Sequence, residues 1–516
     1  MGHGPRGDPG KPPSVVAVID LGSNSGRVVV YRYQAGGHLQ LLAGSRASLR
    51  LVRDLDERRR LSPAAMDRAW EALLDFRAIA QGAGAERILA VATAATRDAE
   101  NGPAFIERIR GRLGIEVRIL SGDEEARYGF LGAVRGLPVE RGVLFDLGGG
   151  SMQVSHFRQR RLTRSASLPL GSLRLSDAFL KADPPSTREV RRLREHARAS
   201  LEKAGVGRLE KGEQLVGTGG TLRNLAKIDR RAREDYPIMR LHGYELGRRQ
   251  VKAIAGLLAE RKQKKREQVP GLNDDRGDSI VGGSLAIQTL MEVLEAPDVV
   301  VSGQGVREGL AVSLATEVLP DPAEVRQSSI AALVSRFDGW VQEQAERRRA
   351  LVASLHQALE PTADPEVGEA LVQAATVLDI GRSIDFFDRH EHVADIVLAT
   401  DLNGFSHRGI ALVSAILRNA GDEDTRARSY APLLVSEDGP KVQRAGVVLA
   451  LADDIEERCP RGAAITLECR VKKEEAVVTV PQLGGWRERK IGPRFERAFD
   501  RKLVVTAGRA YDAARS

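Results

Sequence analysis

The chain reads as two successive α/β domains, followed by an all-α domain and a small α+β tail. Three observations predict this. Runs rich in β-branched residues alternate with segments of helical period through the first part of the chain, the pattern of an α/β domain. The alternation restarts at Gly142 with a near copy of its own opening. After "EVLPDPAEV" the long periodic segments are helical until a short strand-bearing tail. A chain of 516 residues also exceeds what one hydrophobic core supports.

The elements follow in order. "SVVAVID" and "GRVVVYRY" are strands, and "LQLLAGSRASLRLV" is a third. "SPAAMDRAWEALLDFRAIAQGAGA" has Ser62 as N-cap, Pro63 at the first helical position and glycines at its end, which punctuates a helix. "RILAVATAAT" is a strand, "GPAFIERIRGRLG" a helix and "EVRILSG" a strand. "DEEARYGFLGAVRG" is a helix with Asp123 as its expected N-cap. The second half repeats the theme: "GVLFDLGGGSMQVSHF" is two strands around a turn, and "STREVRRLREHARASLEKAG" is a helix. "EQLVGTGGTLRNLAKI" reads as strand, glycine turn and helix. "ELGRRQVKAIAGLLAERKQKKR" and "DSIVGGSLAIQTLMEVLE" read as helices, and "DVVVSGQGVREGLAVSLA" as strand, turn and helix. The expected boundaries are a flexible leader at 1–13, α/β domains at 14–135 and 136–318, a helical domain at 319–440 and the tail at 441–516.

Composition narrows the function classes. No apolar run approaches the roughly 20 residues of a membrane span. The first residues lack the apolar stretch of a secretory signal. Two cysteines, Cys459 and Cys469, are too few for a disulfide framework or a zinc site. A cytoplasmic protein without a membrane partner is expected. The formal charge of +8 favours polyanionic partners. Basic runs at Arg58–Arg60, Arg158–Arg164 and Arg261–Arg266 are expected on solvated faces. Aromatic residues make up only 4% of the chain, with no base-stacking platform, so a phosphate-rich ligand is expected rather than nucleic acid.

The two α/β halves look duplicated. Set "VAVIDLGSNSGRVVVYR" over "GVLFDLGGGSMQVSHFR": Asp20 falls on Asp146, Leu21 on Leu147, Gly22 on Gly148 and Ser25 on Ser151. Each is a strand, an Asp-Leu-Gly turn and a strand. Glycine lets backbone N–H groups approach an anion closely. The turns holding Gly22, Ser23, Asn24 and Ser25, and Gly148, Gly149, Gly150 and Ser151, are therefore candidate phosphate cradles. A third cradle is Gly217, Thr218, Gly219, Gly220 and Thr221, placed before a helix. Asp20 and Asp146 close their strands at these turns. A carboxylate repels a phosphate unless a divalent cation such as Mg²⁺ lies between them. In "ILSGDEEARYGFLGAV", Glu124 and Glu125 occupy a first helical turn, where acids favour the helix dipole and where one of them could orient an attacking water. Arg97, in "TAATRDAEN", is a candidate phosphate ligand or a surface ion-pair partner.

These residues resemble the exopolyphosphatase and guanosine-pentaphosphate phosphohydrolase family, within the actin, sugar kinase and Hsp70 superfamily. The resemblance rests on six ordered blocks, "AVIDLGSNSGR", "TAATRDAEN", "ILSGDEEARYGFLGAV", "FDLGGGSMQ", "GTGGTLRNLA" and "VSGQGVREGL". It implies two ribonuclease-H-like domains with a cleft between them, release of terminal phosphate from inorganic polyphosphate, and Mg²⁺ or another divalent cation as cofactor. It carries the base role onto Glu125, with Glu124 as second candidate, phosphate binding onto Arg97 and the glycine loops, and metal contact onto Asp146. With Asp20 and Gln153, Asp146 makes the expected metal set. It also implies a homodimer, an HD-like character for the helical domain, and a polyphosphate path that Arg261–Arg266 would line.

The chain departs from the family in three places. Gln153 stands where the family has Glu, which predicts weaker Mg²⁺ binding or another metal arrangement. Gly26 replaces a bulkier residue and is expected to open the first loop. Leu378 precedes Asp379 where an HD motif has His, and His390 and His392 do not share a helix face. The helical domain therefore reads as a degenerate module for substrate grip or dimer formation. Alternatives to polyphosphate hydrolysis are pppGpp 5′-phosphohydrolysis at the same site, an ATP-dependent kinase, and a sensor that binds polyphosphate or alarmone without turnover.

Overall fold

In this computed structural model, residues 14–34, 38–55, 58–233, 235–421, 430–484, 486 and 488–507 are described. The expected leader, 1–13, lies outside them. The described residues up to 233, with Leu241–Ser328, form one compact unit. Asp235–Arg240 and the described residues from Ser329 onward form a second.

The first unit holds two sheets. One contains β1 (Val15–Leu21), β2 (Ser25–Tyr33), β3 (Leu39–Ser48), β4 (Arg87–Ala92) and β5 (Val117–Ile119), in the order β3-β2-β1-β4-β5. The other contains β6 (Gly142–Leu147), β7 (Met152–Arg158), β8 (Arg161–Leu168), β9 (Gln214–Gly219), β10 (Tyr244–Gly247) and β11 (Asp298–Val301), in the order β10-β11-β9-β6-β7-β8. Strand for strand, β8-β7-β6-β9-β11 repeats β3-β2-β1-β4-β5, with the same antiparallel and parallel pairings. Even the irregularity repeats: the β2–β3 register shifts between Val30 and Tyr31, and the β7–β8 register between His156 and Phe157. The duplication read from two Asp-Leu-Gly turns thus extends over five strands of each sheet.

The β1 strand is buried on both faces, and its alternating side chains feed two cores. Ala17, Ile19 and Leu21 pack with Leu73 and Phe76 of the helix Pro63–Gly82 and with Phe105 and Ile109 of the helix Gly102–Leu113. Val16 and Val18 join a second core with Leu144, Val216, Phe130 and Leu310, which ties the two sheets together. The helices Gly122–Arg135 and Val306–Ser313 contribute to that core. In their contact, a Cβ on Gly132 would collide with the Gly305 carbonyl.

Several local expectations change. Ser62 caps its helix as expected, accepting from the Ala65 N–H at 3.1 Å. The next predicted cap moves: Ser121, not Asp123, precedes Gly122–Arg135, and Glu124 completes a capping box with it. The segment read as one helix from Glu245 is instead β10 followed by the helices Arg248–Ala259 and Gln263–Arg266, because Tyr244 to Gly247 pair with β11. Gly26 does not open a loop: it lies in β2, and a Cβ there would reach 2.9 Å from Leu49 Cδ1 and 3.1 Å from Phe76 Cε2. Two basic runs are not simply solvated. Arg160 is buried and donates to the carbonyls of Val134, Arg135, Leu137, Val139 and Pro320. Arg266 is buried against Asp183, at 2.8 Å.

The second unit is helical from Ser329 and ends in a three-stranded sheet, β12 (Glu468–Val471), β13 (Glu475–Thr479) and β14 (Lys502–Thr506), in the order β12-β13-β14. The expected boundary at 440/441 falls inside the helix Asp438–Arg458, which packs on the helices Gln342–Leu359, Pro365–Val377 and His407–Ala420. Among the described residues no helix is long and apolar enough to cross a membrane. Cys459 and Cys469 are not joined by a disulfide.

Candidate active site

The duplicated turns meet in the first unit. Asp20 and Asp146 sit one residue before the ends of β1 and β6, and each turn is closed alike: the Gly22 N–H donates to the Ser25 carbonyl at 3.2 Å, and the Gly148 N–H to the Ser151 carbonyl at 3.0 Å. The turns also touch. A Cβ on Gly150 would stand 2.9 Å from Ser23 Oγ, so the bare backbone is required for the first turn to approach the second. Ser23 Oγ also accepts from the Ala95 N–H at 3.1 Å, which anchors the first turn to the segment after β4.

Between these turns lies a cavity of about 130 Å³. Its walls include Asp20, Gly22, Ser23, Asn24 and Ser25 from the first turn and Asp146, Gly148, Gly149, Gly150 and Ser151 from the second. Thr218, Gly219 and Gly220 add the third, and Glu125 faces it from the helix Gly122–Arg135. Thr218 Oγ1 donates to the Gln304 carbonyl at 2.9 Å, so this hydroxyl serves the protein and the loop's backbone is left for a ligand.

Five candidates are not among the lining residues. Gly217 and Thr221 flank the third turn in β9 and the following helix, where Thr221 is buried. Glu124 is spent on its helix, its carboxylate accepting from the Ser121 N–H at 2.9 Å. Arg97 stands behind Glu125, donating to its carboxylate at 3.2 Å and to the Leu120 carbonyl at 2.8 Å. Gln153 is buried behind the second turn and donates to Ser151 Oγ at 2.9 Å. Arg97 thus has Glu125 as its carboxylate partner, and Gln153 has Ser151 as its hydroxyl partner.

Four arginines in the wall were not singled out from the sequence: Arg27, Arg223, Arg276 and Arg307. They arrive from β2, from the helix after the third turn, from a short 3₁₀ turn and from the helix Val306–Ser313. Arg27, Arg223 and Arg307 lie inside the quoted motifs, but nothing linear separates them from the chain's many other arginines. Burial, together with repulsion by Arg307 and Arg223, pulls the Arg27 guanidinium down to about 9. Burial and Arg307 pull Arg223 down to about 10. Cations crowded against one another in a sheltered cavity are arranged to receive a multiply charged anion.

The carboxylates are perturbed the other way. Burial, and then the Asp146 charge, push Glu125 up to about 7, against the pull of Arg97. Burial raises Asp146 to about 6, opposed by Arg223 and reinforced by Asp20. Asp20 is raised by burial, with Arg307 and Arg27 opposing. Lined by carboxylate, hydroxyl and backbone oxygens without His or Cys, the cavity fits a hard cation. Among the described residues no group of three His, Cys, Asp or Glu side chains forms a metal cage. Mg²⁺ needs none, since one or two carboxylates plus substrate phosphates and water are its usual shell. Asp20 and Asp146 fit that role.

Known proteins resemble this chain in sequence and in fold. The Ppx/GppA phosphatase family matches residues 29–318, and domain III of that family matches 325–489. Exopolyphosphatase 1 of Mycobacterium tuberculosis is 31% identical over 329 residues, covering 63% of this chain and 95% of the relative. Exopolyphosphatase 1 of Mycobacterium leprae is 30% identical over 300 residues, covering 57% and 88%. Among solved structures, the Ppx/GppA family member of Aquifex aeolicus superposes with a TM-score of 0.52 at 29% identity, over 58% of this chain and 97% of that one. An exopolyphosphatase of Cytophaga hutchinsonii shares the fold at 24% identity and a TM-score of 0.53, with 58% and 97% covered. The α/β part is thus of the actin-like ATPase type seen in these neighbours. By its matched domains, its relatives and its fold, the chain belongs to the Ppx/GppA phosphatase family.

Proposed function

We infer that the cavity hydrolyses the terminal phosphoanhydride of inorganic polyphosphate, making the protein an exopolyphosphatase. One observation carries the reading: a carboxylate held near neutrality, Glu125, faces a pocket ringed by glycine-turn N–H groups and four arginines. A base poised near the working pH accepts a proton most effectively. Water held by Glu125 gives it a proton and attacks the terminal phosphorus. The P–O bond to the rest of the chain breaks, and the departing oxygen keeps the electron pair. The backbone N–H groups of the turns at Gly22 and Gly148, with Arg223 and Arg307, stabilise the charge on the transferring group. Mg²⁺ held by Asp20 and Asp146 would supply further charge neutralisation when bound.

The test is phosphate release from long polyphosphate, pppGpp and ATP, with and without Mg²⁺. Polyphosphate is expected to turn over fastest, with Mg²⁺ required. Faster release from pppGpp would reassign the substrate, and no release from any of the three would favour a sensor.

Arg97 supplies a sharper prediction. Its guanidinium favours ionised Glu125, so Arg97→Met raises the Glu125 pKa. The base must be ionised to act, so activity falls as pH drops through about 7 in the parent protein. In Arg97→Met that acid limb moves to higher pH. An unmoved limb in a pH–kcat/KM profile rejects the coupling.

For the helical unit we propose a non-catalytic role. Asp379 is fully buried, and Arg348, Arg382 and Arg389 surround its carboxylate at 2.8, 2.9 and 3.3 Å. Three guanidiniums already neutralise this carboxylate, and their positive charge repels a metal cation. This supports the reading of a degenerate HD-like module, to which we assign substrate grip or dimer formation.

A further inference from the structure

Gln153 occupies a position that the duplication makes informative. The sheet register sets Asp20 opposite Arg27 in the first half and Asp146 opposite Gln153 in the second. Residues directly opposite in an antiparallel pair point to the same face. Arg27 uses this position to enter the cavity wall, whereas Gln153 stays 3% exposed beneath the second turn. There its Nε2 donates to Ser151 Oγ at 2.9 Å and to Ser167 Oγ at 3.4 Å. Ser151 belongs to the cavity wall. Ser167 lies against the start of the helix that carries Glu125: a Cβ on Gly122 would stand 2.9 Å from Ser167 Cβ. One amide therefore joins a phosphate turn to the root of the helix bearing the proposed base.

The direction of the bond to Ser151 matters. A hydroxyl has one proton and two lone pairs. When Gln153 Nε2 occupies a lone pair of Ser151, the proton of Ser151 remains to be donated. A carboxylate in place of the amide could only accept, and it would draw that proton to itself.

We propose that Gln153 is a positioning residue that fixes Ser151 as a hydrogen-bond donor to the phosphate in the cavity; this rests on the phosphohydrolase reading above. It replaces the expectation that this position touches the cation. Gln153 acts on substrate binding through Ser151, and the cation requirement does not depend on it.

A double-mutant cycle tests this with polyphosphate as substrate and orthophosphate as a binding probe followed by calorimetry. Gln153→Met removes the donor and is expected to raise KM roughly fivefold, the worth of about one hydrogen bond. The change in kcat should stay small, and orthophosphate Kd should rise in parallel. Gln153→Glu turns the hydroxyl away and is expected to raise KM roughly tenfold or more, since a charged acceptor binds it harder. In a Ser151→Ala background Gln153→Met should then cost nothing further in KM or Kd. Ser151→Ala alters one atom at the cavity wall, so its readout survives even if a Gln153 variant folds poorly. Equal penalties in both backgrounds overturn the proposal. So does a shifted Mg²⁺ half-saturation with unchanged KM and orthophosphate Kd, which would return Gln153 to the metal site. A parent protein that releases no phosphate yet shows the coupling in orthophosphate Kd would overturn the hydrolase reading and leave the Gln153–Ser151 link standing.

Discussion

Glu125→Gln is expected to lower kcat by about 10²–10⁴-fold, the usual worth of a positioned general base, with little change in KM. The substitution keeps the shape of the side chain, and its amide oxygen can still accept from Arg97, which now donates to the carboxylate at 3.2 Å. Only the ability to take a proton is lost. The neighbouring acid provides the control. Glu124 caps its own helix through the Ser121 N–H, so Glu124→Gln retains an acceptor and should keep near-parental kcat. Single-turnover phosphate release on the two variants checks both statements. Comparable losses would mean that the first turn matters as a unit and that neither residue is the base. A fully active Glu125→Gln would move the base elsewhere in the cavity, with Asp146 next in line, since its carboxyl is also raised, to about 6.

Arg348→Met is expected to destabilise the helical unit by about 3–5 kcal/mol, the cost of stranding one partner of a buried ion pair. Arg348 is fully buried. It donates to Asp379 at 2.8 Å, to Asp453 at 2.8 Å and to the Ala375 carbonyl at 3.2 Å. Glu456 stands 3.7 Å away. Methionine matches much of the stem volume but leaves these carboxylates short of a cation in a dry interior. Arg389 and Arg382 still reach Asp379, and Arg347 still reaches Glu456, so the cluster is weakened without being emptied. Arg348→Lys should recover only part of the loss, because an ammonium cannot reproduce the guanidinium fork. Urea unfolding followed by circular dichroism reads the effect. A change below about 1 kcal/mol, the range of an exposed pair, would show that water reaches the cluster.

How much of this was legible before folding differs from residue to residue. The Asp-Leu-Gly turns identified themselves, because a strand end, a carboxylate and bare backbone fall on consecutive positions. Glu124 and Glu125 were inseparable on paper as neighbours in one helical turn. Side chains one residue apart project about 100° from each other, so one returned to its own N-cap and the other entered the cavity. Gln153 was visible as a departure from the family, but its partner was not. Its hydrogen bond to Ser151 depends on which face of β7 is turned inward and how the following turn sits on it.

Local sequence was enough for the alternating α/β plan, though not for β8 or β10, and for the duplicated Asp-Leu-Gly turns, because each is written in adjacent positions with a local physical reading. Which arginines line the cavity emerges only when the chain is packed. Arg27, Arg223, Arg276 and Arg307 come from four separate elements and share nothing in local pattern. The same holds in part for Asp379, read as a remnant of a metal motif: besides the nearby Arg382 and Arg389 it is held by Arg348, brought in from a separate helix. A long-range electrostatic partner is chosen by packing, and linear spacing carries no record of that choice.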